Sequence, residues 1–377
     1  MIYFDYASTS FVESEVLESY SKFLKDNFAN ADSLHHLGVI SSNYLSKARE
    51  QVASFFGVGE DEVIFTSGAS ESNNLALKGV AFKYASRGKK IITTRLEHSS
   101  VSKTLEQLEQ HFGYIIEYVD VDENGKVDLK QLERLIDNQT ILVSICAIVS
   151  ETGHRLNVEQ VGEFLKKYPK VFFHVDATQL IGKYQINIGN IDLLSFSAHK
   201  FYSLKGVGAL IKKHNVDLIP LICGGEQEDG LRGGTSNVPS IMMMSKSLRL
   251  AYENMKKREK YVASLYDYLY EKLSLINGVT INSSKEGSCY ILNFSVLDYR
   301  NEVLLNEFSK KEIYLSSKSA CSSKDKGLSK IVNYLYKDER RAMSSLRVSF
   351  SYRNTKEEID IFVQELMDIM KRIKRVK

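Results

Sequence analysis

Residues 171–200 read VFFHVDATQLIGKYQINIGNIDLLSFSAHK. Two apolar runs stand in this stretch, at 171–175 and 192–197, and each finishes on residues that can do chemistry. Asp176 and Gln179 follow the first; Ser197, His199 and Lys200 close the second. A short continuous apolar run is the mark of a strand covered on both faces. Working outward, similar runs lie at 63–66, 90–94, 114–119, 141–146 and 207–211, and helical patterns separate them. In 43–56, for example, Tyr44, Leu45, Ala48, Val52, Phe55 and Phe56 recur at helical spacing and Gly57 follows as a stop. This alternation predicts an α/β protein built on an open, mostly parallel, seven-stranded sheet. In such sheets ligands bind beyond the carboxyl ends of the strands, which is where Asp176 and Lys200 fall.

After Pro239 a helical stretch runs to about Ile276, and the remainder mixes β segments at 288–295 and 345–350 with helices. The last helix opens on Thr355 and Glu358, spaced as a capping box, and Ile359, Phe362, Val363, Leu366, Ile369 and Met370 form one apolar stripe. The expected organisation is a large ligand-binding domain over 14–245 and a smaller α+β domain from 1–13 plus 246–377.

Composition narrows the partners. The 377 residues carry 50 Lys and Arg against 47 Asp and Glu, a net charge of +3, too small to argue for nucleic acid or an anionic membrane. No apolar run approaches the ~18 residues of a membrane span. The opening MIYFDYAST has no basic segment leading an apolar one, so a signal peptide is not expected and a cytoplasmic location follows by default. Four cysteines, Cys146, Cys223, Cys289 and Cys321, are widely spaced without a CxxC pair, so neither a zinc site nor a disulfide framework is expected.

Four strand-end motifs carry the functional reading. Phe65 to Asn74 is a small, hydroxyl-rich turn entering a helix, where free amides and the helix dipole suit a phosphate. Asp176 ends an apolar strand, where an acid needs a cationic or donor partner. Lys200 is placed to form a Schiff base with an aldehyde cofactor. His98 could stack on a planar ring or shuttle protons. Alone, each has a plain alternative: an N-cap turn, a helix-capping acid, a surface lysine, an exposed histidine. Together they are what one small ligand with a phosphate, a ring nitrogen and an aldehyde requires.

With these residues in view, the chain resembles the class-V aminotransferase group of fold-type I pyridoxal-phosphate enzymes, specifically cysteine desulfurases of the NifS/IscS kind. The matching segments are FTSGASESNNLALKG (65–79), EHSSV (97–101), HVDATQ (174–179), SFSAHK (195–200), LRGGT (231–235), SKSACSS (317–323) and SSLRVSF (344–350). The resemblance implies that Lys200 holds pyridoxal phosphate and Asp176 pairs with its pyridine nitrogen. It implies that His98 stacks on the ring, that Ala69, Ser70, Ser197 and His199 hold the phosphate, and that Gln179 meets the phenolic oxygen. Thr235 would reach the phosphate of a second subunit, implying a homodimer. Arg347, with Asn30, would bind the substrate. Cys321, which has Lys318, Lys324 and Lys326 near it in sequence, would accept sulfur as a persulfide, converting L-cysteine to L-alanine and passing the sulfur to an acceptor protein.

The pattern also departs from that family. Its Asn-Asn-Glu-x-Gly is Val149-Ser150-Glu151-Thr152-Gly153 here, and the resemblance places the first of those positions beside the cofactor, where the Val149 side chain cannot hydrogen-bond. Two alternatives follow: a pyridoxal-phosphate-binding protein of low turnover acting as a partner or regulator, and a related lyase or aminotransferase. Cys321 stands against the second, since transamination needs no thiol.

Overall fold

The computed structural model describes residues 1–317 and 328–373. Among them the strands are β1 Ile2–Tyr3, β2 Val63–Thr66, β3 Lys90–Thr93, β4 Ile115–Tyr118, β5 Thr140–Cys146, β6 Phe172–Asp176, β7 Leu193–Ser197, β8 Gly208–Lys212, β9 Val279–Ile281, β10 Ile291–Val296, β11 Ile313–Tyr314 and β12 Ser345–Ser349. A seven-stranded sheet has the order β2-β8-β7-β6-β5-β3-β4. Its pairs are parallel from β7 through β4, while β8 runs antiparallel to both neighbours, β2 and β7. Strands β5, β6 and β7 are buried along their whole length, which is why they read as largely apolar runs.

The register gathers the chemistry at one edge. Cys146 lies beside Asp176, Asp176 beside Ser195, and Ser197 and Thr66 both flank Gly208. The turns beyond these strand ends therefore share one rim of the sheet.

A three-stranded antiparallel sheet, β12-β10-β9, and the short parallel pair β1-β11 make up the remaining β structure. Helix Val238–Ser274 starts with Asn237 accepting from Ser240 N and carries Pro239 in its first turn, where a missing N–H costs nothing. Helix Lys356–Arg372 has the capping box read from the sequence, Thr355 against Glu358. Phe362 from that helix packs against Phe4, Phe294 and Phe308, tying the N-terminal segment to β10. No helix among the described residues is long and apolar enough to cross a membrane.

Candidate active site

A cavity of about 290 Å³ opens at the carboxyl rim of the large sheet. Ala69, Ser70, His98, Asp176, Gln179, Ser197, His199, Lys200 and Arg347 all line it.

One wall is the first turn of helix Ala69–Lys83. Gly68 precedes it at φ 150°, and a Cβ there would meet Ser197 Oγ at 2.9 Å. Glycine thus lets the Ser197 hydroxyl reach the helix end, where it accepts from Ala69 N at 2.7 Å. Backbone donors, two hydroxyls and the positive end of a helix dipole converge there, a setting that suits a phosphate.

Deeper in the cavity stands Asp176, 5% exposed. Its Oδ2 accepts from Asn73 Nδ2 at 2.9 Å and its Oδ1 from the Thr178 amide and hydroxyl. Asn73 Nδ2 also donates to Ser100 Oγ, which lies 2.8 Å from His98 Nδ1. The ring of His98, at the N-cap of helix Ser99–Phe112, is thereby linked to the carboxylate through two side chains. A carboxylate with fixed neutral donors behind it stays oriented toward any cation in front.

Lys200 Nζ donates to the carbonyl oxygens of Ala7 and Ser8, each at 2.6 Å. The N-terminal segment is held there because Ser10 N donates to His199 O and Tyr202 N donates to Ser10 Oγ. His199 is pushed down to about 4, first by burial and then by the charges of Lys200, Lys205 and Lys183, so it is a neutral ring at physiological pH. Gln179 Nε2 donates to the same Ala7 oxygen at 2.9 Å.

Arg347, 1% exposed, also lines the cavity. Its Nη2 pairs with Asp5 Oδ1 at 2.6 Å and donates to Ser8 Oγ, and its Nη1 donates to Ser150 O. Its Nε is buried without a hydrogen-bond partner among the described residues.

One expectation is corrected. Val149 is fully buried in the apolar core and does not line the cavity. Cys146, Ile148 and Ser150 do. Side chains alternate along extended backbone, so the face that carries Cys146 at the end of β5 returns at Ser150. Ser150, which the sequence reading did not single out, is the polar side chain at this wall. Thr235 and Asn30 do not join the cavity either. Thr235 lines a separate pocket with Glu228 and Arg232, and Asn30 is exposed, its Oδ1 accepting from Asp32 N. Their loops meet, since Gln227 Nε2 donates to Asp32 Oδ2 and Gln227 Oε1 accepts from Gly234 N. Cys321 lies outside the described residues.

Sequence reading also passed over Glu97. It is pushed up to about 8, chiefly by burial, with Asp176 adding to the effect and the Thr94 hydroxyl and Cys146 amide opposing it. Its Oε2 has no partner among the described residues. Its place directly before His98 was the one signal the sequence offered.

The site fits a phosphorylated heteroaromatic aldehyde. Amides and hydroxyls converge at a helix end, a buried carboxylate stands where a cationic ring nitrogen could meet it, and a primary amine lines the same cavity as the guanidinium that could take a substrate carboxylate.

The family model "Aminotransferase class-V" matches residues 2–362. A protein from Lactobacillus delbrueckii subsp. bulgaricus described as a NifS/IcsS protein homolog is 36% identical over 381 residues, covering 100% of this chain and 99% of that protein. A putative cysteine desulfurase, IscS 1, from Bacillus subtilis is 37% identical over 379 residues, covering 99% of each. Among solved structures, a NifS-like protein superposes with a TM-score of 0.92 at 36% identity, covering 99% of this chain and 100% of that one. A structure described as SspA in complex with cysteine superposes with a TM-score of 0.82 at 32% identity, covering 94% of this chain and 100% of that one.

Proposed function

The chain belongs to the class-V aminotransferase family, and from that membership we propose that it is a pyridoxal-phosphate-dependent cysteine desulfurase, converting L-cysteine to L-alanine and passing the sulfur to an acceptor protein. The observation that carries this reading is the gathering of Lys200, Asp176, His98, Arg347 and the 69–70 helix turn on one cavity.

Each residue has a part. Ala69, Ser70, Ser197 and His199 hold the phosphate, Lys200 the aldehyde carbon, and Asp176 the ring nitrogen. Bound in this way, the cofactor supplies an electron sink for the substrate's α-carbon. Gln179 donates to the ring oxygen. His98, tied to Asp176 through Ser100 and Asn73, stacks on the ring and moves protons. Arg347 orients the substrate carboxylate beside Asp5, and Ser150 is the neighbouring polar contact. Cys321 forms a sulfur–sulfur bond with the substrate sulfur as the carbon–sulfur bond breaks. The electron pair stays with carbon, which takes a proton and leaves as alanine, so no external oxidant is needed. On this reading residues 14–245 bind the cofactor, and 1–13 with 246–377 bring Arg347 and Cys321.

The working unit is a homodimer. The loops of Asn30 and Thr235 meet at a surface with exposed Phe28, Leu34 and Leu37 in the neighbouring sequence, as expected of residues that complete a partner's site. We assign the protein to the cytoplasm. Val149 in the core removes one of the two motives for the low-turnover reading, the other being the altered loops.

Incubation with pyridoxal phosphate, L-cysteine and a thiol reductant tests the activity. Alanine and sulfide should appear in equal amounts. Pyruvate and ammonia in place of alanine would assign the site to a different lyase.

A further inference from the structure

Behind the cavity wall, and not lining it, lies Lys183, 5% exposed. Among the described residues no carboxylate pairs with it. Its Nζ donates to Gln179 Oε1 at 3.0 Å and sits 5.5 Å from the centre of the Tyr290 ring. Among the described residues the charged groups that act on it are Lys200 and Arg347, both cationic, with Cys289 opposing them. An amine kept in such a place without an acid partner is costly, so its retention asks for a reason.

The reason lies in the donor inventory. A carboxamide can point either end at a neighbour, but a protonated lysine Nζ has three donors and no acceptor, so it takes the oxygen end. Lys183 therefore takes Gln179 Oε1. The amide nitrogen is turned the other way, and one of its two hydrogens goes to Ala7 O. The second is left for an acceptor in the cavity that Gln179 lines. Ala7 O is also an acceptor for Lys200, so the polarity set at Lys183 ends beside the reactive amine.

We propose that Lys183 is a positioning residue: it locks the Gln179 carboxamide with its nitrogen toward the cavity, so that the bound group meets a hydrogen-bond donor there and not a carbonyl oxygen. This deepens the function proposed above and rests on it. The ligand feature recognised is an anionic ring oxygen.

Four variants test it: Lys183→Met, Lys183→Arg, Gln179→Ala and the Lys183→Met/Gln179→Ala double. For each, the pyridoxal phosphate dissociation constant and the pH titration of the bound cofactor's visible absorbance are read, with thermal unfolding as a control for folding. Lys183→Met should weaken cofactor binding about two- to tenfold and displace the titration midpoint, the scale of one lost hydrogen bond. Lys183→Arg still offers only donors to Gln179 Oε1 and should stay near wild type. The double variant should be no worse than Gln179→Ala alone, because Lys183 acts through that residue. A folded Lys183→Met with unchanged affinity and titration, or additive effects in the double variant, overturns the proposal. If Lys183→Met does not fold, Lys183→Arg decides, and behaviour like Gln179→Ala rules orientation out. A wild-type protein that takes up no pyridoxal phosphate would instead remove the functional reading beneath it.

Discussion

Arg347 and Asp5 are joined at 2.6 Å, Nη2 to Oδ1, across the wall of the cavity, so the guanidinium that faces the ligand space already has a carboxylate beside it. Both Nη2 hydrogens are used, by Asp5 and Ser8, and one of Nη1 goes to Ser150 O. What remains for a substrate carboxylate is the unpartnered Nε and the second Nη1 hydrogen. Lysine has three donors on a single point and cannot hold these partners and a substrate together. Arg347→Lys should therefore raise KM for L-cysteine about tenfold or more, the scale of a lost charge-assisted bond, and leave cofactor absorbance in place. Steady-state kinetics showing an unchanged KM would remove Arg347 from substrate binding.

The Val149 position gives a stability prediction with a definite sign. An asparagine there would put an amide into a fully buried apolar site. Val149→Asn should cost about 1–3 kcal/mol in urea denaturation, the penalty of a buried unsatisfied polar group, without improving activity. Ser150→Asn places the same amide at the cavity wall and should change KM for L-cysteine instead. Enhanced turnover in Val149→Asn would mean that this side chain reaches the ligand space after all.

How much of this was legible beforehand follows from what sequence patterns encode. The seven strands of the large sheet were readable to within a residue or two, most of them because burial on both faces makes a largely apolar run, as β6 shows from Phe172 to Asp176, though edge strand β4 exposes Ile115. Pairing was not readable: nothing in residues 207–211 announces that β8 inserts antiparallel between β2 and β7. Lys200, Asp176 and His98 were legible because strand ends and helix starts carry them. Ser150 was missed although the period-2 alternation from Cys146 pointed to it. Asp5, Glu97 and Lys183 escaped because their importance lies in partners distant along the chain or in burial, and a lone charged residue in a sequence carries neither.

Lys200→Ala should lose the cofactor's visible absorbance and leave no linkage that borohydride can fix to the chain. The premise is Lys200 Nζ at the cavity wall, held by Ala7 O and Ser8 O. Mass spectrometry finding the reduced cofactor on another lysine would reassign the amine.

Cys321→Ser should bind the cofactor and respond spectrally to L-cysteine, yet release almost no alanine, since a serine oxygen is no substitute for the sulfur-accepting thiolate. After brief exposure of the unmodified protein to substrate, an added sulfur should be found on Cys321. Full alanine production by the serine variant would defeat the desulfurase mechanism.

Glu97 gives the pH prediction. Its folded-state value is raised from 4.5 to about 8, mainly by burial, so between those values the folded protein binds more protons than the unfolded chain. Stability from this group is fully present below about 4.5 and is lost as pH rises through about 8. His174 and His199, each lowered to about 4 by burial, act in the opposite direction as pH rises from 4 to 6.5, and Lys183, lowered to about 7, does so above 7. The wild-type curve alone therefore mixes signs, and a difference curve isolates Glu97. Glu97→Gln keeps an oxygen for Thr94 and Cys146 and sets an amide nitrogen where Oε2 stands unpartnered. Relative to that variant, the wild type should lose stability steadily from pH 5 to pH 8, by a total on the order of 3–5 kcal/mol. Urea titrations at half-unit steps measure it. A flat difference across that range would mean that Glu97 ionises as readily folded as unfolded, and that the buried acid beside Asp176 is compensated by a group the present contacts do not include.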